Sequence, residues 1–178
     1  MSITQNIALT RGAAQMANKT WGAIVTWKYD SPPYLDTAEE IYNQLLLAYE
    51  SGAKYLTVFN YPTYPDNNEY GLLTEQYFDA LLMLWTTVMD NSQTTSNTNY
   101  RNAQAALVLP SNYGSGLRNQ NDRIWGFWGS DDISAQVLNS TRTLIWMYGT
   151  RIDIVYDDPI FPVADRYPFV YYWNQTYY

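Results

Sequence analysis

The spacing of apolar residues along the chain predicts alternating strands and helices. Five short runs rich in β-branched and aromatic residues predict strands at 22–28, 54–60, 104–109, 152–156 and 169–173. Helical spacing predicts helices over 3–18, 74–89 and 132–148, and a further helix between a cap at Asp36 or Thr37 and a stop at Gly52. This alternation predicts an α/β protein with parallel sheets, whose functional residues lie in the loops after the strands.

One polar stretch divides the pattern into two halves. Residues 90–102 read DNSQTTSNTNYRN and have no apolar periodicity. We therefore expect a linker at 91–102, which separates βα units in residues 1–90 from a small α/β domain in residues 103–178.

The residue types present limit the chemistry that the chain can perform. It contains no histidine and no cysteine, which excludes Ser-His and Cys-His triads, disulfides and Cys-type zinc sites. Seventeen acidic and ten basic residues give a net charge of −7, and the basic residues are scattered, so nucleic-acid binding is not expected. No apolar run approaches the roughly 20 residues of a membrane span, and no signal-peptide pattern is found in this chain.

The loop at 111–130 follows a predicted strand and precedes a helix, as phosphate-binding loops do. It matches neither GxxxxGK[ST] nor GxGxxG, so no nucleotide cofactor is expected. Its Arg118 and Arg123 are expected to pair with nearby acids such as Asp122. Two adjacent acids, Asp157 and Asp158, are a weak cation signal, and we predict no metal site.

Aromatic residues make up 17% of the chain, including 18 Tyr and 7 Trp, while Lys is scarce. Tyrosine-rich, weakly charged surfaces are typical of sugar-binding clefts and of assembly surfaces. Together with three Asn-x-Thr sequons, at Asn18, Asn139 and Asn174, this composition favours an extracellular or cell-surface location.

The segment WGAIVTWKYDSPPYLDTAEEIYNQLLLAYESGAKYLTVFNYP resembles the last strands of the (β/α)8 barrel in glycoside-hydrolase-like proteins of archaeal type. The later segment LVLPSNYGSGLRNQNDRIWGFWG resembles the start of the flavodoxin-like domain that follows such barrels. The resemblance implies the end of a barrel and then a flavodoxin-like domain. A whole barrel needs about 250 residues, so the chain is expected to be either a partial relative that self-associates or one missing an N-terminal portion.

Glycoside hydrolysis requires two carboxyl groups about 5–10 Å apart. The acids that follow the first two predicted strands are Asp30, Asp66 and Glu69, which are the candidate catalytic residues. Aromatic rings in the same loops would stack on sugars, and the candidate substrate-binding residues are Trp27, Tyr29, Tyr34, Tyr61 and Tyr64.

Two hypotheses of function follow from these features. The chain is either a carbohydrate-active, glycoside-hydrolase-like protein that binds a polysaccharide through its aromatic loops, or a non-catalytic structural or assembly protein. Under the second hypothesis, the Tyr-rich surface of the same α/β scaffold contacts other subunits, for example in a homo-oligomer.

Overall fold

The computed structural model describes residues 2–25, 36–59, 75–94, 103–123, 126–163 and 166–175. Within them the helices are α1 (Ile3–Met16), α2 (Ala38–Glu50), α3 (Glu75–Thr94) and α4 (Ser134–Tyr148). The strands are β1 (Gly22–Val25), β2 (Tyr55–Val58), β3 (Ala105–Leu109), β4 (Ile152–Tyr156) and β5 (Phe169–Tyr172). Every strand pair is parallel, which confirms the predicted α/β class with parallel sheets.

The chain forms two compact units. The inserted unit is Trp21–Arg101, and the discontinuous unit combines Met1–Thr20 with Asn102–Tyr178. The division expected from the sequence, 1–90 and 103–178 around a linker, differs because it placed α1 with the first half. Helical spacing shows which face of α1 is apolar but not which sheet that face covers.

The discontinuous unit contains a three-stranded sheet in the order β4-β3-β5. All five residues of β3 are buried, since both faces of this central strand are covered. On one face, Leu107 packs in a cluster with Val137 and Leu144 of α4. On the opposite face, Val108 packs with Met16 of α1 and with Tyr167, which precedes β5.

Helix α1 lies against the free edge of β4. The Arg11 Nη2 atom donates to the backbone carbonyls of Thr150 (2.6 Å) and Ile152 (3.0 Å). A Cβ atom on Gly12 would lie 2.5 Å from the Ile154 carbonyl oxygen, so only glycine allows this approach. Helix α1 therefore covers a strand edge that would otherwise be open to pairing with another chain.

A buried polar group joins α1 to this sheet. The Nε atom of Arg11 lies 2.7 Å from Asp153 Oδ1, and the Tyr167 hydroxyl donates to Asp153 Oδ2 at 2.9 Å. Desolvation raises the pKa of the Asp153 carboxyl, against the opposing effects of Arg11 and of the Tyr167 hydrogen bond. Burial, followed by the adjacent Asp153 carboxylate, raises the pKa of Tyr167. These groups fix α1 in place and are closed to solvent.

The inserted unit has a two-stranded sheet, β1-β2, with α2 packed on it and α3 packed against α2. Its core is formed by Val25, Ile41, Leu45 and Leu84. Thr37 caps α2 through a capping box with Glu40, which confirms one of the two predicted caps. Gly52, at φ 94°, follows the end of α2 as the sequence predicts.

The predicted linker at 91–102 is wrong for its first residues, because α3 continues through Thr94. Residues 91–94, Asn-Ser-Gln-Thr, contain no Pro or Gly, and extending an existing helix is less costly than starting one. The rest of that stretch, 95–102, lies outside the described residues. No helix in the described ranges is long and apolar enough to cross a membrane.

Candidate functional site

All eight site residues predicted from the sequence lie in 26–35 or 60–74, outside the described residues. Their proximity across neighbouring strand ends therefore stays a prediction. The eight are the acids Asp30, Asp66 and Glu69 and the aromatic residues Trp27, Tyr29, Tyr34, Tyr61 and Tyr64.

A cleft in the discontinuous unit, with a volume of about 590 Å³, is the candidate site that the described residues show. It lies between the start of α1, the loop after β3 and the outer side of α4. Its apolar lining is Leu117, Leu138, Ile145 and Trp146, and its polar lining is Ser2, Gln5, Arg118, Asn119, Asp122 and Arg142. Such a mixture of an apolar wall and a few polar groups is typical of small-molecule sites.

Two buried hydrogen-bond donors of lining residues have no partner among the described residues. They are Nε2 of Gln5 and Nε of Arg118, and the Gln5 residue is only 7% exposed. Buried polar atoms are nearly always paired, and leaving one unpaired costs about 1–3 kcal/mol. Both donors belong to residues that line the same cleft, so the wall of the cleft contains two unsatisfied donors.

The polar lining carries more positive than negative charge. Arg118 and Arg142 contribute two cations, and Asp122 contributes one anion. The amino-terminal end of α1 adds a partial positive charge, since Ser2 caps it and its first turn contains no acidic residue. The cleft is thus a locally cationic place on a chain whose net charge is −7.

The carboxylate of Asp122 accepts hydrogen bonds from Asn119 and not from the arginine expected from the sequence. Its Oδ2 atom accepts from the backbone N–H (2.9 Å) and the side-chain amide (3.0 Å) of Asn119. Arg118 instead donates through Nη1 to the backbone carbonyl of Trp128 at 2.6 Å. The predicted pairing of Arg118 with Asp122 is therefore wrong, and the Arg118 charge is not neutralised by that acid.

A hydrogen-bonded cluster holds the base of the loop after β3. The Tyr113 hydroxyl, which has one proton to donate, lies within hydrogen-bond distance of the Gly116 carbonyl (2.9 Å) and of Ser134 Oγ (3.1 Å). Ser134 and Ser115 in turn donate to Asp131 at 2.7 and 2.8 Å. Although burial acts to raise the pKa of Asp131, these hydrogen bonds and the N–H of residue 133 lower it below its ordinary value.

This cluster shapes the cleft without being part of its lining. Burial is the largest cause of the raised pKa of Tyr113, and Ser134 is fully buried. A hydroxyl closed to solvent and already bonded to a carboxylate does not contact a ligand. The cluster therefore positions the segment that contributes Leu117, Arg118 and Asn119.

Sequence reasoning missed this site because its residues come from three separated segments. One signal was available in α4: Arg142 and Trp146 are four residues apart and so share a helix face, away from the buried Val137, Thr141 and Leu144. A tryptophan on the polar side of a helix, 86% exposed, has no packing explanation. Nothing in the sequence indicated that Gln5 would lie beside that face.

Comparison of this chain with protein-family models, with curated proteins and with solved structures found no match. Among the described residues, no three or more acidic side chains are grouped so that they could hold a metal ion. The cleft is therefore interpreted from its own chemistry.

Proposed function

We propose that this chain is a carbohydrate-binding protein whose sugar site is the cleft of the discontinuous unit. The observation that carries the proposal is the exposed indole of Trp146 next to the unpartnered donors of Gln5 and Arg118. A sugar ring has an apolar face and a rim of hydroxyl groups. Such a ligand stacks on an aromatic ring while its hydroxyl groups bond to amide, guanidinium and carboxylate side chains.

The chemistry of the lining supports a hydroxyl-rich ligand. Gln5 and Arg118 offer donors, while Asp122 retains acceptor capacity on a carboxylate that has about four lone-pair sites. A sugar hydroxyl can donate and accept at once, so one ring can meet both kinds of group. The apolar residues Leu138 and Ile145 are on the same helix as Trp146 and would exclude water from one side of the ring.

The proposal includes a fold assignment for each unit. In the discontinuous unit, the second, first and third strands lie side by side, which is how the strand order of flavodoxin-like folds begins. In the inserted unit, two parallel strands are each followed along the chain by a helix, as in the βα repeats of a barrel. These features support the glycoside-hydrolase-like resemblance of the sequence.

Calorimetric titration with a panel of oligosaccharides tests this function. Trp146→Ala is expected to lower the affinity for the bound sugar at least tenfold, because it removes the stacking surface. Trp85→Ala is the matched control, since Trp85 is also exposed but lies in the inserted unit. Equal affinities for both variants, or no binding of any oligosaccharide in the panel, would contradict the proposal.

A second candidate function, assembly of several copies of this chain, is favoured by one face of α3. Phe78, Leu82, Trp85 and Met89 are spaced four, three and four residues apart, and all are exposed. This is the spacing of a seam between two helices. An uncovered seam costs about 25 cal/mol per Å² of apolar surface, so we propose that a second copy covers it.

Sedimentation measurements separate this role from sugar binding. Leu82→Lys is expected to shift an oligomer towards monomer, because a charge in an apolar seam lacks a partner. Its matched control is Thr86→Lys, an exposed position on the same helix outside the 78-82-85-89 spacing. A wild-type chain that sediments as a monomer at high concentration would contradict the assembly role and leave sugar binding untouched.

A further inference from the structure

We infer that the ligand of this cleft is an acidic sugar, one that carries a carboxylate on its ring. The inference rests on the proposed carbohydrate-binding function and adds the chemical class of the sugar. It follows from four donor groups that converge on one cleft: the guanidinium groups of Arg118 and Arg142, the amide of Gln5 and the amino-terminal end of α1.

The unpartnered state of Arg118 is the first argument. Its Nη1 atom is engaged by the Trp128 carbonyl, yet its Nε atom is buried and has no acceptor. A guanidinium is always charged and has five N–H donors in a planar fork, which matches a carboxylate better than a hydroxyl. A neutral sugar would offer a hydrogen-bond acceptor but would not balance the charge of this half-buried guanidinium.

The amino-terminal end of α1 provides an independent argument. Ser2 Oγ accepts from the Gln5 N–H at 3.3 Å, and the first turn has no acidic side chain. Helices commonly place an acid there, because it interacts favourably with the positive end of the dipole. Here Gln5, a residue of the cleft lining that is nine-tenths buried, has an unpaired Nε2 atom at this end, so an external anion would take the place of the missing acid.

Asp122 limits where the carboxylate of the sugar can bind. It is the one acid that the described residues contribute to the lining, and its charge repels a second carboxylate and favours a hydroxyl group instead. The acidic sugar is therefore oriented with its carboxylate towards Gln5 and the arginines and with hydroxyl groups towards Asp122. Trp146 of α4, which lines the same cleft, offers the ring a surface for stacking.

The test is calorimetric titration of the whole chain with paired oligosaccharides of equal length and linkage, one made of uronic acids and the other of the parent hexoses. Citrate serves as a carboxylate without a sugar ring. We expect the acidic member of at least one pair to bind more tightly by about tenfold to a hundredfold, because hydrogen bonds to charged groups are the stronger ones. That preference should decrease as salt is added.

Two substitutions locate the effect. Arg118→Gln and the more exposed Arg142→Gln are each expected to remove most of the preference for the acidic member of the pair, measured as the ratio of the two affinities for the same variant. Arg123→Gln is the matched control, since it removes one charge from the same loop outside the cleft lining. Because Arg142 lies on the helix surface, its variant remains informative if Arg118→Gln fails to fold.

The outcomes are distinguishable from those of the proposed function. Equal affinity for the acidic and neutral members overturns the acidic-sugar inference and leaves carbohydrate binding intact. If citrate binds as tightly as the uronic acids, the inference that the ligand is an acidic sugar is wrong, because a carboxylate without a sugar ring is sufficient. An acidic preference that Arg142→Gln and Arg123→Gln leave equally intact would place the anion outside this cleft and also overturn the inference.

Discussion

Replacing Gly12 by alanine sets helix propensity against packing. In the middle of a helix, alanine is favoured over glycine by about 1 kcal/mol, so propensity alone predicts a more stable protein. The structure predicts the opposite sign, since the new Cβ would lie 2.5 Å from the Ile154 carbonyl oxygen. Real Cβ atoms essentially never come closer than 3.0 Å, and ordinary contact begins near 3.4 Å, so α1 would have to move away from β4 by about 0.5–0.9 Å.

That movement weakens more than one contact. Overpacking of this kind costs about 1–3 kcal/mol. Arg11 is the adjacent residue, and lifting α1 would also lengthen its 2.7 Å contact with Asp153, where a hydrogen bond between charged groups is worth about 1.5–3 kcal/mol when lost completely. After the gain in propensity is subtracted, the expected loss of unfolding free energy is about 1–3 kcal/mol.

Native-state hydrogen exchange of the β3 amides measures this loss, because β3 is the buried central strand of the discontinuous unit. Gly12→Ala should speed their exchange by about fivefold to a hundredfold or more. Ala13→Gly is the matched control: residue 13 is exposed on the same helix, so only propensity acts there and the loss should be about 1 kcal/mol. Slower exchange in Gly12→Ala would refute the close approach of α1 to β4.

Three further predictions concern single contacts. Arg11→Met should destabilise the discontinuous unit by about 3–5 kcal/mol in urea unfolding, because Asp153 would remain buried without its cation. Adding Asp153→Leu should restore part of the loss. No recovery would mean that the lost bonds to the carbonyls of Thr150 and Ile152 dominate. Because the pKa of Asp131 is lower in the folded protein, its carboxylate contributes to the free energy of unfolding. That contribution is complete above the pKa of an unfolded Asp, about 4, and is lost as the pH falls through the pKa of the folded protein. Asp131→Asn should therefore make the melting temperature depend less on pH in the acid range. Thr37→Ala should cost about 1 kcal/mol through loss of the capping box with Glu40, seen as faster exchange in the first turn of α2, and unchanged exchange there would rule the cap out.

The fold could be predicted from the sequence where the signal is local. β3 and β4 were found within a residue of their ends, because each is a short apolar run bounded by turn residues. The cap at the start of α2 and the end of this helix before Gly52 could also be predicted, since capping residues act within one helical turn. The attachment of α1 to β4 was not predictable, because it depends on contacts between distant parts of the chain, such as the ion pair between residues 142 positions apart.

The candidate site could not be predicted for the same reason. Gln5 is an ordinary polar residue in an amphipathic helix, and Arg118 has an acid four residues later that suggests a local pair. Only in the folded unit does Asp122 bond to Asn119, which leaves the Nε atom of Arg118 unpaired. In parallel sheets, functional residues commonly lie in the loops after the strands, so the sequence predicted a site at the carboxylates after β1 and β2. That rule gives no reason to expect a site on the outer side of α4.

The seating of α1 on β4 also determines the order in which the chain can fold during translation. Of the residues in this chain, α1 leaves the ribosome first, but Asp153 follows Arg11 by 142 residues. At about 5–20 residues per second, α1 waits roughly 7–30 s for its strand. A 14-residue helix is only marginally stable alone, so its apolar side stays available to chaperones while the inserted unit is being made. Slower decoding between residues 21 and 101 would lengthen that exposure without changing a single native contact.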